Sequence, residues 1–248
     1  MQAIILAAGI GSRLGPAHPG PKCLLEFGGR SLLARHFDEL ARLGIDDVTL
    51  VLGHAEGAIR DAARAAAAHT PLVHLNPDYR EGSMLSLWYA RHALLSGSDV
   101  LLMDADVLYD PRILTRLVES PHANCFLLDR DFTPGDEPVK ICLDDGRIVE
   151  FRKRVAPGLR YNSLGESVGF FKFDADTATR LAGIVSRYVA GGGRAEPHEE
   201  ALRDLALASD AIGVEDVTGL AWIEIDFPAD VIRATQEILP AIDDRPTS

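Results

Sequence analysis

Two stretches of this chain carry residue types that together can handle a phosphate and a divalent cation. The first, Leu6-Ala7-Ala8-Gly9-Ile10-Gly11-Ser12-Arg13-Leu14, directly follows an apolar N-terminal run. Its small residues let the backbone approach a ligand closely, and successive free N–H groups in such a turn form an anion-binding nest. Arg13 adds a fixed charge whose planar fork matches a phosphate. Lys22, nine residues on in Pro21-Lys22-Cys23-Leu24-Leu25, sets a second cation near the same loop. The second stretch, Leu101-Leu102-Met103-Asp104-Ala105-Asp106, ends an apolar run in two carboxylates. Such hard oxygens suit Mg²⁺, which binds through one or two carboxylates plus substrate phosphates. Plainer readings fit the same residues: a tight strand–loop turn with two exposed cations, and a solvated strand end. Gly9-x-Gly11 also begins a dinucleotide fingerprint, but its third glycine position holds Leu14, and the loop runs long before the next helix.

The elements that must position these residues follow from periodicity. Apolar runs at 3–6, 48–52, 72–75, 100–103 and 125–128 read as buried strands. Helical patterns near 31–43, 56–68, 84–95 and 111–118 lie between them, with Met84, Leu87 and Ala90–Ala93 at core spacing. Ser31 is the expected N-cap of the first and Gly44 follows its end; Asp110 precedes Pro111 at the start of the fourth. After 130 the texture changes. Runs at 139–143 and 147–151 flank Asp144-Asp145-Gly146, a hairpin signal. A strand at 167–173, helices near 175–189 and 197–208, a strand near 220–225 and a helix near 229–239 follow, with Asp230 as the expected cap of the last. This pattern predicts an α/β fold: a Rossmann-like three-layer α/β/α sandwich with a mixed, mostly parallel sheet and a small substrate-side β-hairpin/helical insertion. One domain is expected over 1–242, with a change of texture at about 130 dividing 1–130 from 131–242, and with 243–248 a frayed tail. The ligand crevice of such a sheet lies beyond the carboxyl ends of its strands.

Composition narrows the function classes. The 248 residues hold 25 Lys+Arg against 37 Asp+Glu, a net charge of −12. That balance argues against a nucleic-acid partner, which needs a basic face. No apolar run approaches the length of a membrane span, and the N-terminal run lacks the basic start of a signal peptide. Cys23, Cys125 and Cys142 stand far apart without metal-ligand spacing, as expected of reduced thiols in a cytoplasmic protein. The eight histidines show no ligand spacing either, and neither Ser12 nor Ser83 has a histidine nearby in sequence. The acidity is uneven: residues 1–30 hold three basic residues and one acid, and residues 140–160 six and three.

Taken together, 4–33 resembles the signature of the nucleotidyltransferases, in which Leu6-Ala7-Ala8-Gly9-x-Gly11-Ser12-Arg13-Leu14 is followed by Pro21-Lys22. This superfamily activates sugar-1-phosphates and related phosphorylated small molecules. The resemblance implies that the glycine loop (Leu6, Ala7, Ala8, Gly9, Gly11, Ser12) wraps a nucleoside triphosphate and that Arg13 and Lys22 hold its phosphates. It places a metal ligand at Asp106 and a nucleotide contact at Asp104, and it makes about 1–130 the nucleotide-binding half and about 131–242 the acceptor-binding half. Trp222-Ile223-Glu224-Ile225-Asp226 is similar to the segment that supplies the second ligand; Asp226 is the chosen residue and Glu224 the contender. The loop from Asn76 through Gly82, Ser83 and Ser86 to Trp88 is similar to the base-reading loop of cytidylyltransferases for phosphocholine and 2-aminoethylphosphonate. Gly82-Ser83 stand near where those carry an Asn-Asn pair. In the acceptor half the resemblance singles out Lys140, Lys153 and Glu166, with Glu199 and Glu200 on a helix near the head group. Pro197-His198 replaces the usual aromatic there, and Tyr161 is a further candidate.

The implied reaction is Mg²⁺-dependent nucleotidyl transfer. A phosphate or phosphonate oxygen attacks the α-phosphorus of CTP or another nucleoside triphosphate, and pyrophosphate leaves. Sugar-1-phosphate or inositol-1-phosphate nucleotidyl transfer is the rival within that class. Outside it stand an NAD(P)-dependent oxidoreductase and a non-catalytic nucleotide-binding module. The expected partners are a nucleoside triphosphate and a small phosphorylated acceptor, with a homodimer as a further possibility.

Overall fold

A computed structural model describes every residue except Ala17, Asp210 and 244–248. Most of the expected tail therefore lies outside the described residues. The chain enters the sheet at β1 (Gln2–Ala7) and passes through short turns at Ser12–Leu14 and Lys22–Leu24. A two-stranded ribbon, β2 (Glu26–Phe27) and β3 (Arg30–Ser31), leads into α1 (Leu32–Arg42). Ser31 caps that helix as expected, its hydroxyl accepting from the Ala34 N–H at 3.2 Å. Then come β4 (Val48–Leu52), α2 (Glu56–Ala66), β5 (Leu72–Leu75), α3 (Ser83–Tyr89) and α4 (Arg91–Leu94). The helix expected over 84–95 is thus two pieces jointed at Ala90. Next are β6 (Val100–Asp104), β7 (Val107–Tyr109) and α5 (Pro111–Glu119), with Asp110 accepting from the Arg112 N–H at its start.

The second half adds β8 (Asn124–Asp129), β9 (Lys140–Asp144) and β10 (Arg147–Arg152). Asp145 and Gly146 both take positive φ (49° and 81°) between β9 and β10, as a two-residue hairpin turn requires. β11 (Ser163–Phe173) is longer than expected; α6 (Ala175–Ala190) and α7 (Glu199–Leu207) follow. β12 (Ile212–Asp216) has no counterpart among the expected strands, nor do β2, β3 and β7. β13 (Trp222–Glu224) pairs with β7 in a separate ribbon. The terminal helix begins as α8 (Pro228–Arg233), widens into a π-turn at Ala234–Ile238 and ends as α9 (Leu239–Asp243). Asp230 is not its cap. It sits one turn in, and its carboxylate accepts from the N–H groups of Asp226 and Phe227 at 3.0 and 2.7 Å.

β6, β1, β4 and β5 form a parallel block. β11 runs antiparallel to β6, β8 and β9, β10 runs against β9, and β12 joins β8 in parallel. The sheet is therefore mixed, with seven of nine strands sharing one direction. Alternation along β1 sends Ile4 to one face and Ala3 and Ile5 to the other. One face is covered by α3, α4, α6 and α7, the other by α1, α2 and α5. A smaller cluster around Leu14, Phe27, Leu108 and Ile225 seats the terminal helix. Among the described residues no helix is long and apolar enough to cross a membrane.

Candidate active site

A cleft of about 540 Å³ opens at the carboxyl ends of β1 and β6. The loop from Leu6 to Arg13 forms its floor. Gly11 takes φ 69°, and a Cβ there would sit 3.0 Å from Lys22 Cγ; the bare backbone lets the lysine cross the loop. Leu14, where the dinucleotide fingerprint wants glycine, is buried in the core, and among the described residues the first α-helix begins at Leu32. Pro21 delivers Lys22 on the second short turn, so that its Nζ reaches Asp106 Oδ2 at 2.8 Å and Asp226 Oδ1 at 2.5 Å. Arg13 comes to the same carboxylate from above. It lies 3.0 Å from Asp226 Oδ1 and 2.9 Å from Glu137 Oε2, with its guanidinium over the Phe227 ring.

The pairing of β13 with β7 brings the C-terminal acids to Asp106. The Ile225 N–H donates to the Asp106 carbonyl at 2.9 Å. One carboxylate oxygen each from Asp106, Glu224 and Asp226 falls within a 4.8 Å group. Both candidates for the second C-terminal acid therefore converge on Asp106. The electrostatics are those of an overcrowded acidic site. Glu224 is exposed as a residue, yet desolvation of its carboxyl within the cleft, then the charges of Asp106 and Asp226, push that group above its usual range. Burial, then Asp106 and Glu199, push Asp104 up. Burial works to lower the Lys22 ammonium, but Asp106 and Asp226 outweigh it and hold it above its ordinary value. Five carboxylates line the cleft against the cations of Arg13, Lys22 and Arg80. Cys23 also lines it, but burial and the Asp106 charge push its thiol up to about 12, so it is no thiolate nucleophile at neutral pH.

The opposite wall is built from the loop before α3 and the segment before α7. Gly82 accepts the backbone of Ala195 so closely that a Cβ would stand 2.7 Å from it, and the Met84 N–H donates to the Glu196 carbonyl. Arg194 locks the two segments from outside, pairing with Glu81 at 2.8 Å and Asp78 at 3.0 Å. Ser83 has no histidine near it in sequence, yet the fold sets His198 against its hydroxyl. Gly82, Ser83 and Ser86 line the cleft; Asn76 does not. It is buried behind the wall, donating to Ser86 Oγ at 3.0 Å and accepting from the Asp78 N–H. Its place is that of a support for Ser86.

The expected acceptor residues divide. Glu199 lines the cleft beside Asp104, whereas Glu200 turns away and pairs with Arg152. Lys140, Lys153 and Glu166 also stand outside the lining. The Lys140 ammonium donates to the carbonyls of Gly135 and Lys153 at 2.6 Å each, bracing the hairpin. Lys153 reaches the rim: its Nζ is 3.3 Å from Glu137 Oε2, the oxygen that also binds Arg13. Burial, then the Asp129 charge, push the Glu166 carboxyl up to about 7. Tyr161 is exposed. Tyr79, Arg80 and His198 line the cleft without having been singled out; the signs in the sequence are that Tyr79 and Arg80 fall within the base-reading loop and that Pro197-His198 stands where an aromatic was anticipated.

Residues 3–160 match the MobA-like NTP transferase domain. The chain is 31% identical over 250 residues to CMP-5'-(3-aminopropyl)phosphonate synthase of Streptomyces rubellomurinus, covering 97% of this chain and 39% of that protein. Less than half of that relative's length is thus represented. It is 28% identical over 185 residues to 2-aminoethylphosphonate cytidylyltransferase of Lancefieldella rimae, covering 73% of this chain and 70% of that one. Its fold superposes on CTP:phosphocholine cytidylyltransferase from Streptococcus pneumoniae with a TM-score of 0.71 at 20% identity, over 94% of this chain and 96% of the other. The nucleotidyltransferase resemblance carried by the glycine loop and Lys22 is therefore sound. Matched through both of those features and over more than half its length, the chain belongs to the MobA-like NTP transferase domain family.

Proposed function

We propose that this chain is a cytidylyltransferase-type enzyme that joins CTP to a small phosphate or phosphonate and releases pyrophosphate. One observation carries the reading: two cations, Arg13 and Lys22, meet an acidic group at the carboxyl ends of parallel strands, on a loop shaped to hold anions. An acceptor oxygen bonds to the α-phosphorus, the bond to the β-phosphate bridge breaks, and its electron pair leaves with pyrophosphate. That oxygen is already anionic, so no general base is required. The obstacle is repulsion between two anions. Arg13 and Lys22 offset charge on the transferring and leaving phosphates, and backbone N–H groups of the glycine loop orient the triphosphate. Lys153, whose ammonium shares the Glu137 carboxylate with Arg13, is the residue proposed to hold the incoming phosphate or phosphonate. The phosphonate and phosphocholine names of the relatives favour an acceptor of that kind.

The residues fit Mg²⁺. Asp106, Glu224 and Asp226 offer hard oxygens within one 4.8 Å group. Bound there, the ion would supply charge neutralisation and orientation at the α-phosphate. Lys22 meets two of the same carboxylates, so it and the cation share the task of neutralising them.

The test is pyrophosphate release by wild type, Lys22→Ala and Asp106→Ala across nucleoside triphosphates, with phosphocholine, 2-aminoethylphosphonate, inositol-1-phosphate and hexose-1-phosphates as acceptors. Each substitution should lower the rate about 100-fold or more, the scale of losing one preorganised charge-stabilising contact. Near-wild-type rates in both variants would sink the assignment, and a preference for a sugar phosphate would move the acceptor class.

A further inference from the structure

His198 stands at the start of α7, 5% exposed, on the wall of the cleft. Its backbone N–H donates to Ser83 Oγ at 2.9 Å, and its ring Nδ1 lies 3.1 Å from the same oxygen. Ser83 Oγ accepts the backbone hydrogen, so its own hydrogen is free for Nδ1. With Ser83 donating there, Nδ1 is the acceptor and the ring proton sits on Nε2. Glu199 Oε2, 3.2 Å from Nδ1, makes no hydrogen bond with it. The buried Nε2 has no hydrogen-bond partner among the described residues. Its nearest carboxylate oxygen, Asp104 Oδ1, is 3.6 Å away, too far for a hydrogen bond. A buried donor left unmet in this way is an unfilled binding position.

We propose that His198 Nε2–H and Asp104 form a donor–acceptor pair that recognises a ribose hydroxyl, making the site selective for ribonucleoside over deoxyribonucleoside triphosphates. This rests on the nucleotidyl-transfer reading. The pair joins the two ends of the nucleotide site: His198 bonds to Ser83 in the base-side loop, and Asp104 stands two residues from Asp106 on the phosphate side. The part of a nucleotide that links base to α-phosphate is its sugar. The chemistry selects the same group. A phosphate or carbonyl oxygen would satisfy Nε2–H but has no hydrogen to offer an Asp104 oxygen, and an ammonium would suit Asp104 but meet the N–H head on. A hydroxyl accepts from one and donates to the other.

Equilibrium titration of CTP, 2′-deoxy-CTP and 3′-deoxy-CTP against wild type, His198→Ala and His198→Gln tests this. Wild type should bind at least one deoxy form about tenfold more weakly than CTP, the scale of one hydrogen bond. His198→Ala should weaken CTP by a similar factor and erase the discrimination, and His198→Gln, which keeps an N–H, should restore part of it. Equal weakening of all three ligands by His198→Ala, or a change confined to the acceptor KM, would overturn the proposal. Should the buried substitutions fail to fold, wild type still decides. Nitrogen-15 spectra showing the proton on Nδ1, or CTP and both deoxy forms binding alike, would overturn it while leaving nucleotide binding intact. A wild type that binds no nucleoside triphosphate would overturn the parent reading along with it.

Discussion

Gly169 shows how a single residue keeps the cleft open. It takes φ 84° within β11, and a Cβ built on it would stand 2.7 Å from Asp104 Oδ2. A side chain would face both left-handed strain, about 1–2 kcal/mol, and a direct collision with a carboxylate of the site. Gly169→Ala should therefore lower stability by roughly 1–2 kcal/mol while displacing Asp104. Activity should fall by more than the lost stability explains. Denaturant unfolding beside pyrophosphate release checks this; full activity at reduced stability would show that Asp104 tolerates displacement. Gln would be a gentler change at Glu137, which accepts from Arg13 and Lys153 through one oxygen and holds the two cations meant for phosphates. Both pairs are largely exposed, so each is worth at most about 1 kcal/mol. Glu137→Gln should leave kcat unchanged and lower the KM of triphosphate or acceptor up to about fivefold. A raised KM would instead make Glu137 a ligand contact.

At the scale of elements, the site depends on β11 serving different partners along one edge. Its first residues pair with β9 and its last with β6, while β8 follows the other edge with a register shift between Ser167 and Phe171. The bend at Gly169 falls at that change of partner, where Asp104 ends β6. This explains what the sequence made legible. The glycine loop, Lys22 and Asp104-Ala105-Asp106 were readable because each sits in a local pattern: strand, tight turn, strand end. The parallel block was readable from apolar runs of strand length between capped helices. β12 was not, because Ile212–Asp216 gains its strand character only by pairing with β8. The same holds for β7, three residues long, which pairs with β13, the strand expected near 220–225. His198 met Ser83, and Glu137 met Arg13, through contacts more than 100 residues apart in sequence. No periodicity reports such contacts. Glu200 and Asn76 stand off the cleft for the complementary reason: residue type and neighbourhood match, but the one pairs with Arg152 and the other is buried behind Ser86.

For the molecule as a whole, two buried groups give stability opposite slopes with pH. Burial lowers the His36 ring to about 4, despite the Ala105 carbonyl and the Asp106 charge. The native state then binds fewer protons than the unfolded state between about 6.5 and 4, so stability is lost as pH falls through that window. Glu166 acts the other way. Burial, then Asp129, raise it to about 7, against the opposing charges of Lys140, Arg233 and Lys153. The native state therefore holds a proton that the unfolded chain releases near its ordinary value, and stability is lost as pH rises from about 4.5 to 7. Over the shared range the two slopes oppose each other; above about 6.5 only that of Glu166 remains. Glu166→Gln keeps the size and removes the titration. Relative to wild type, its stability at pH 7.5 should gain on its stability at pH 5 by on the order of 1–2 kcal/mol, a full shift discounted for the partial exposure of Glu166. Denaturant unfolding at the two pH values reads this difference directly. Parallel profiles for the two proteins would mean that Glu166 ionises in the native state as it does in the unfolded chain, with Lys140 and Lys153 near enough to neutralise it. The hairpin lysines would then be engaged by Glu166 rather than available to an incoming phosphate.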